Sequence, residues 1–313
     1  MSNNVRKRIL QVGLSLVALI GLASPAMPQA AKPIVQQIDH VLFVTPGGSA
    51  LVSLLTDTLR LPKVWPQPGD TWTASSGIGF GNVTLEVFHR PPTPPGEVPR
   101  AGRITSLALQ PASLEAALKE LQSRGIAHNP PPQKIRAPGE PAPRWTTVGL
   151  EGFGHGLFLI QYVFDMDERR ARFERILREQ KGGPLGIIRA DEIVIATEHP
   201  DQVRLQWKAL LGPTISSRSG DVWIIGDGPR IRLVKTGDTR EGEFIVEIKS
   251  LRDATKALRR LGIPSVTTKS EIRIAPKALL GFRLILRKQS FHSSAAVAAP
   301  RNARRAAPRS THS

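Results

Sequence analysis

The stretch IDHVLFV, Ile38 to Val44, decides how the rest of the chain reads, because ADEIVIA, Ala190 to Ala196, echoes it. Each is a short apolar run rich in β-branched residues, and each is followed by a polar turn and a segment with helical apolar spacing. A second pair of segments repeats in the same way. SLEAALKELQSRGI, Ser113 to Ile126, matches SLRDATKALRRLGI, Ser250 to Ile263, with the Ser and the Gly-Ile in register. The chain therefore reads as four related units, each a strand, a helix and two or three further strands. Units of this size bury their apolar faces only by packing on one another, so a site belongs where units meet.

In the first unit a turn at Pro46 to Gly48 follows the opening strand. A short helix then carries Leu51, Leu54, Leu55 and Leu59, and strands are expected at Trp72 to Gly77 and Asn82 to Phe88. The second unit has a strand at Ile104 to Leu109, a helix capped by Ser113 and stopped at Gly125, and strands at Trp145 to Leu150 and Leu157 to Val163. Met166 to Lys181 predicts a charged helix linking the halves, ended by Gly182, Gly183 and Pro184. The third unit places strands at Ile187 to Ala196, Asp221 to Ile225 and Pro229 to Lys235, with a helix near Asp201 to Leu211. The fourth runs from Phe244 through its helix to strands at Glu271 to Ile274 and Phe282 to Arg287.

A chain of 313 residues with 40% hydrophobic content can bury a substantial core, and its length suggests about two domains. The start is set apart from the fold. Arg6, Lys7 and Arg8 precede an apolar run from Ile9 to Ala23, and small residues follow, which is the pattern of a secretory signal peptide cleaved near Ala26 or Ala30. The expected location is periplasmic or secreted, with membrane contact only through this segment if it stays uncleaved. The sequence has no cysteine, which excludes disulfides, thiolate metal sites and a thiol nucleophile. The formal charge of +17 falls to about +10 once the leader cations and Arg301, Arg304, Arg305 and Arg309 are set aside. No basic stretch is interleaved with stacking aromatics, so no specific nucleic-acid partner is expected. The resulting organisation is a leader at 1–30, a first pair of units at 34–165, a linking helix at 166–184, a second pair at 185–288 and a disordered basic tail at 289–313.

A strand carrying DHV, a helix, two or three strands and a closing strand ending in LEV, repeated four times, resembles the vicinal oxygen chelate superfamily in its glyoxalase-like branch, which includes bleomycin-resistance and extradiol-dioxygenase types. The resemblance covers nearly everything from Ile38 to Arg287. It implies an α+β fold in which four βαβββ modules pair into two curled mixed sheets, with helices on the outer faces. It also implies a cavity that often holds a divalent metal contributed by the first and last strands of each module.

Alternation along the strands places His40, Leu42 and Val44 on one face of the opening strand and Thr84, Glu86 and Phe88 on one face of the closing strand. An imidazole and a carboxylate can thus meet in one cavity as a divalent-metal half-site, or as a buried hydrogen-bonded pair. By the resemblance, the second unit would complete the site from Ser106 and Gln161. Ser106 departs from the family's ligand types, which leaves His40, Glu86 and Gln161 as metal ligands and Glu86 as general base. The second pair carries Glu192 and Val234 at the matching positions, so its role is expected to be structural or regulatory. Trp65, Trp72, Phe80 and Phe88 are candidate cavity walls.

Two functional classes remain. One is an exported metal-dependent lyase, isomerase or dioxygenase acting on a small oxygenated molecule. The other is a non-catalytic protein that sequesters a small ligand. Four units in one chain can form two cavities without a partner, which favours a monomer.

Overall fold

A computed structural model describes residues 34–66, 75–89, 102–130, 132–136, 139–153, 156–217, 220–235 and 242–289. The leader at 1–30, the first three residues of the strand expected at Trp72 to Gly77 and the basic tail beyond Gln289 lie outside them. No helix among the described residues is long and apolar enough to cross a membrane.

The four repeats are four βαβββ modules. The first contains β1 (Gln37–Thr45), α1 (Gly48–Ser53) continued by a π-helical turn at Leu54–Thr58, β2 (Lys63–Trp65), β3 (Ser75–Gly79) and β4 (Thr84–His89). The second contains β5 (Arg103–Gln110), α2 (Leu114–Ser123), β6 (Gln133–Ile135), β7 (Trp145–Leu150) and β8 (Gly156–Tyr162). The linking helix α3 (Met166–Glu179) follows. The third module is β9 (Ile187–Thr197), α4 (Pro200–Leu211), β10 (Ile215–Ser217), β11 (Gly220–Trp223) and β12 (Arg230–Lys235). The fourth is β13 (Gly242–Ile248), α5 (Leu251–Arg260), β14 (Ser265–Thr267), β15 (Glu271–Ile274) and β16 (Leu284–Lys288).

Modules pair by their opening strands. β1 runs antiparallel to β5, while β4 lies parallel to β1 and β8 parallel to β5, which gives one mixed eight-stranded sheet in the order β2-β3-β4-β1-β5-β8-β7-β6. The second half repeats this as β10-β11-β12-β9-β13-β16-β15-β14. The short edge strands β2, β6, β10 and β14 have only three residues each, too few to show alternation in the sequence.

The repeated helix motif works identically in both halves. Ser113 Oγ accepts from Ala116 N at 3.3 Å, and Ser250 Oγ accepts from Asp253 N at 3.2 Å. At the other end Gly125 and Gly262 take positive φ of 64° and 66°, and Ile126 N and Ile263 N donate back to Leu121 O and Leu258 O at 2.9 Å. The Ser and the Gly-Ile thus start and stop the helix, and Leu121 and Leu258 between them are fully buried.

Val41, Phe43, Leu85, Val87, Leu107 and Leu109 face Leu51, Leu55, Leu114 and Leu121 in one apolar core that continues into the second half. The halves join through Phe80, Phe244 and Phe282, with Phe80 and Phe244 centroids 4.9 Å apart, and through Phe43 against Phe282 at 5.1 Å. Hydrogen bonds cross the same seam, from Ala190 N to Phe80 O at 2.8 Å and from Thr45 Oγ1 to Leu280 O at 2.9 Å.

At this seam two backbones approach closely. A Cβ on Gly281, whose φ is 95°, would lie 2.4 Å from Gly102 N, whereas a Cβ on Gly125 would meet nothing within 4 Å. Gly281→Ala is therefore expected to destabilise the protein by more than about 2 kcal/mol, through conformation and clash together. Gly125→Ala is expected to cost about 1 kcal/mol, through conformation alone. Urea unfolding of the two variants checks this, and equal losses would contradict it.

Candidate functional site

The first sheet curls around a cavity of about 1050 Å³. His40, from β1, lies at its floor with only 5% of its surface exposed, edge-on to Trp65 and Phe158 at centroid distances of 5.8 and 5.7 Å. Glu86 projects from β4 to meet it, and His40 Nε2 and Glu86 Oε2 are 3.1 Å apart. The other ring nitrogen, Nδ1, is 2.6 Å from Asp39 Oδ2. Asp39 also accepts from the Tyr162 hydroxyl at 2.9 Å, and Glu86 Oε1 accepts from Ser75 Oγ at 2.6 Å. Trp65 Nε1 in turn donates to Ser75 Oγ at 3.4 Å.

Asp39 and His40 are consecutive, yet both line the cavity. The pairing of β1 with β5 explains this: Ile38 opposes Leu109 and His40 opposes Ala108, so Asp39 is the extra residue of a bulge. Strict alternation would have sent its carboxylate to the helix side. The same irregularity occurs in β9, where Glu192 opposes Ile245, Ala190 opposes Val246, and Asp191 is skipped.

Burial alone would lower the His40 pKa, but hydrogen bonds to Asp39 and Glu86 and their two charges reverse that and raise it to about 9. His40 is therefore an imidazolium at neutral pH, donating one N–H to each carboxylate. Burial would raise Asp39, yet the contacts to His40 and Tyr162 and the charge of Arg170 hold it below its ordinary value. Burial, together with the Asp39 charge, pushes the Tyr162 phenol well above its usual range.

Of the expected metal ligands, the structure brings His40 and Glu86 together but not Gln161. Gln161 Oε1 accepts from Leu114 N at 2.5 Å, so its side chain faces the start of α2. This is a correction of parity: Phe158, Ile160 and Tyr162 line the cavity, while Leu157, Leu159 and Gln161 take the other face of β8. The resemblance supplied Gln161, and with both faces of the strand apolar up to the last pair, alternation offers no contrast by which to check it. Ser106 opposes Leu42 and so lies on the cavity face, where Gly156 packs against it. Trp65 and Phe88 line the cavity, whereas Phe80 is buried at the seam between the halves, and Trp72 lies outside the described residues.

The donor set can be tested against a divalent metal. An imidazole and a carboxylate are suitable ligand types, but a protonated imidazole has no lone pair to offer, and its proton would have to leave first. No group of three His, Asp or Glu side chains able to hold a metal is present among the described residues. The set falls short of the three protein ligands that a catalytic centre uses.

In the second half, strand register corrects the expected match for Glu86. Leu42 opposes Glu86, and the equivalent Val194 opposes Arg232, so the counterpart is Arg232 rather than Val234. Glu192, at the place of His40, accepts from Arg232 Nε at 2.8 Å and lies 2.7 Å from its Nη2. Asp191, at the place of Asp39, binds Arg230 at 2.7 Å. A guanidinium cannot ligate a metal, and it closes this position with an ion pair over the buried Val194, Ile245 and Ile285.

No protein-family model matches the sequence, and no curated protein matches it. Solved structures do. A variant of homoprotocatechuate 2,3-dioxygenase from Brevibacterium fuscum aligns with a TM-score of 0.55 at 10% identity, over 84% of this chain and 74% of that one. The Arthrobacter globiformis enzyme of the same name aligns with a TM-score of 0.54 at 11% identity, over 85% of this chain and 82% of that one. The 2,3-dioxygenase LapB from Pseudomonas sp. KL28 gives 0.54 at 12%, over 83% and 94%. The chain thus has the fold of these dioxygenases, in two sheets. At such identities the likeness concerns the fold alone.

The raised pKa of His40 makes a definite pH dependence. Its contribution to stability is fully present below pH 6.5, the ordinary value, and is lost as pH rises through about 9. Asp39, held below 3.8, acts in the opposite sense, contributing above that value and losing its contribution as pH falls through the folded pKa. Between 6.5 and about 9, denaturant unfolding should show a loss on the order of 3 kcal/mol. His40→Gln should remove that slope, and a variant as pH-dependent as the parent would contradict the assignment.

Proposed function

We propose that the half of the chain built from β1 to β8 binds a small molecule in its cavity, and that the buried Asp39–His40–Glu86 cluster forms a polar floor rather than a complete metal centre. The observation that carries this reading is that both nitrogens of His40 are already engaged by carboxylates. The walls agree with it. Trp65, Phe88, Trp145 and Phe158 give aromatic walls beside convergent polar and charged groups, a combination that suits a ligand pocket. The volume is in the range of such sites. One of the related structures, of a homoprotocatechuate 2,3-dioxygenase variant, is a complex with HPCA, so this architecture accommodates a small molecule in that protein. The second half, with its position closed by Glu192 and Arg232, would serve as a structural partner. The leader pattern over 1–30 further suggests that binding takes place outside the cytoplasm.

A second reading is favoured by one specific feature. Asp39 holds Nδ1 of His40 while Nε2 points at Glu86, and a carboxylate on the far nitrogen is what orients a metal-ligating histidine. On that reading the protein would be a metal-dependent lyase, isomerase or dioxygenase.

A thermal-shift screen of small molecules on the untagged protein, run with and without chelator and joined to elemental analysis, separates the two. Binding is expected to survive chelator, with no stoichiometric metal. A metal present at one per chain, with turnover of a hit that chelator abolishes, would overturn the proposal in favour of the enzyme.

A further inference from the structure

We infer that the ligand of this cavity is an anion, a flat apolar molecule bearing a carboxylate or phosphate head, and that the head is held by Arg169 of the linking helix. The inference rests on the small-molecule reading above and adds to it a charge and an orientation.

Four arginines line the cavity. Arg144 is engaged by Glu140, with Nε 2.8 Å from both carboxylate oxygens. Arg170 donates to Gln110 Oε1 at 2.7 Å, is bonded to Asp167 and lies 3.9 Å from Asp39 Oδ1. Arg169 differs. Among the described residues no carboxylate lies within ion-pairing distance of it, and its one hydrogen bond is a 3.5 Å contact to Val64 O. Its guanidinium is instead set against two rings, 5.9 Å from the centroid of Trp65 and 5.5 Å from that of Phe164.

A half-buried guanidinium set over two rings keeps N–H groups on its edge that suit the paired oxygens of a carboxylate or phosphate. Trp65 ties this position to the floor, because the same indole faces Arg169 and meets the edge of His40. A ring lying along Trp65 would therefore have its anionic end at Arg169 and its far end over the His40–Glu86 pair. The opposite orientation would set an anion against Glu86 and leave Arg169 without a counter-charge. The module strands alone do not make this subsite. It exists because α3 packs its cationic side chains over the first cavity, and α3 belongs to neither pair of modules.

Isothermal titration of the full chain with naphthoate, naphthyl phosphate and the neutral isostere naphthamide tests the inference. One or both anions should bind at least about tenfold more tightly than the amide, the margin of a charge-assisted hydrogen bond. The tighter anion identifies the head group. Arg169→Gln should bring the anions to the level of the amide, and Arg175→Gln, on the exposed side of the same helix and outside the cavity, should preserve the preference. An amide that binds as well as the anions, or a preference that survives Arg169→Gln, would overturn this inference alone. If none of the three probes binds, the small-molecule reading fails and the inference fails with it.

Discussion

The buried imidazolium of His40, held between Asp39 and Glu86, is the constraint around which the first half is arranged. A charged ring with so little exposure is tolerable only when both N–H groups are matched by negative partners, because an unpaired buried charge is far more costly than a paired one. Supplying two carboxylates to one ring requires three strands' worth of geometry. β4 brings Glu86 alongside β1, a bulge turns Asp39 to the same face as its neighbour, and β8 delivers Tyr162 to fix Asp39.

The second half shows what the same scaffold does without that requirement. The bulge persists at Asp191, but Glu192 and Arg232 replace imidazole and carboxylate, and the floor becomes an ordinary salt bridge. Arg230, Arg273 and Arg287 join Asp191, Glu243 and Glu271 around it in a partly exposed network. Duplication of one module thus produced two sheets of equal topology and unequal chemistry. One has an aromatic-walled cavity, and the other holds a salt bridge at the places of His40 and Glu86. Partly exposed pairs of this kind add little stability individually, so the value of the second half to the first lies in the phenylalanine seam between them.

Much of this was legible in the sequence. The four units and both capped helices follow from repeats whose residues have local physical roles, Ser at the cap and Gly at the stop, while the two-sheet pairing follows from the resemblance those repeats carry. Alternation alone sets His40 and Glu86 on the strand faces opposite two apolar rows, Val41 and Phe43 in one strand and Leu85 and Val87 in the other. Asp39 was invisible for the opposite reason: a bulge breaks the period by which faces are assigned, and the sequence carries no mark of it. Gln161 came from the resemblance, and alternation could not check it because β8 is apolar on both sides; the cavity-facing residue is Tyr162. The sequence reads Met166 to Lys181, which holds the arginines of α3, only as a charged helix linking the halves. Their placement over the cavity is a tertiary fact with no local signature.

The account turns on the claim that the floor of the first cavity is a doubly hydrogen-bonded imidazolium. Nitrogen-15 NMR of the His40 ring at neutral pH, before and after addition of zinc, addresses it directly. The structure predicts that both ring nitrogens are protonated and that zinc leaves their shifts unchanged. A ring with one bare nitrogen, or a nitrogen that moves on binding one equivalent of zinc, would contradict it.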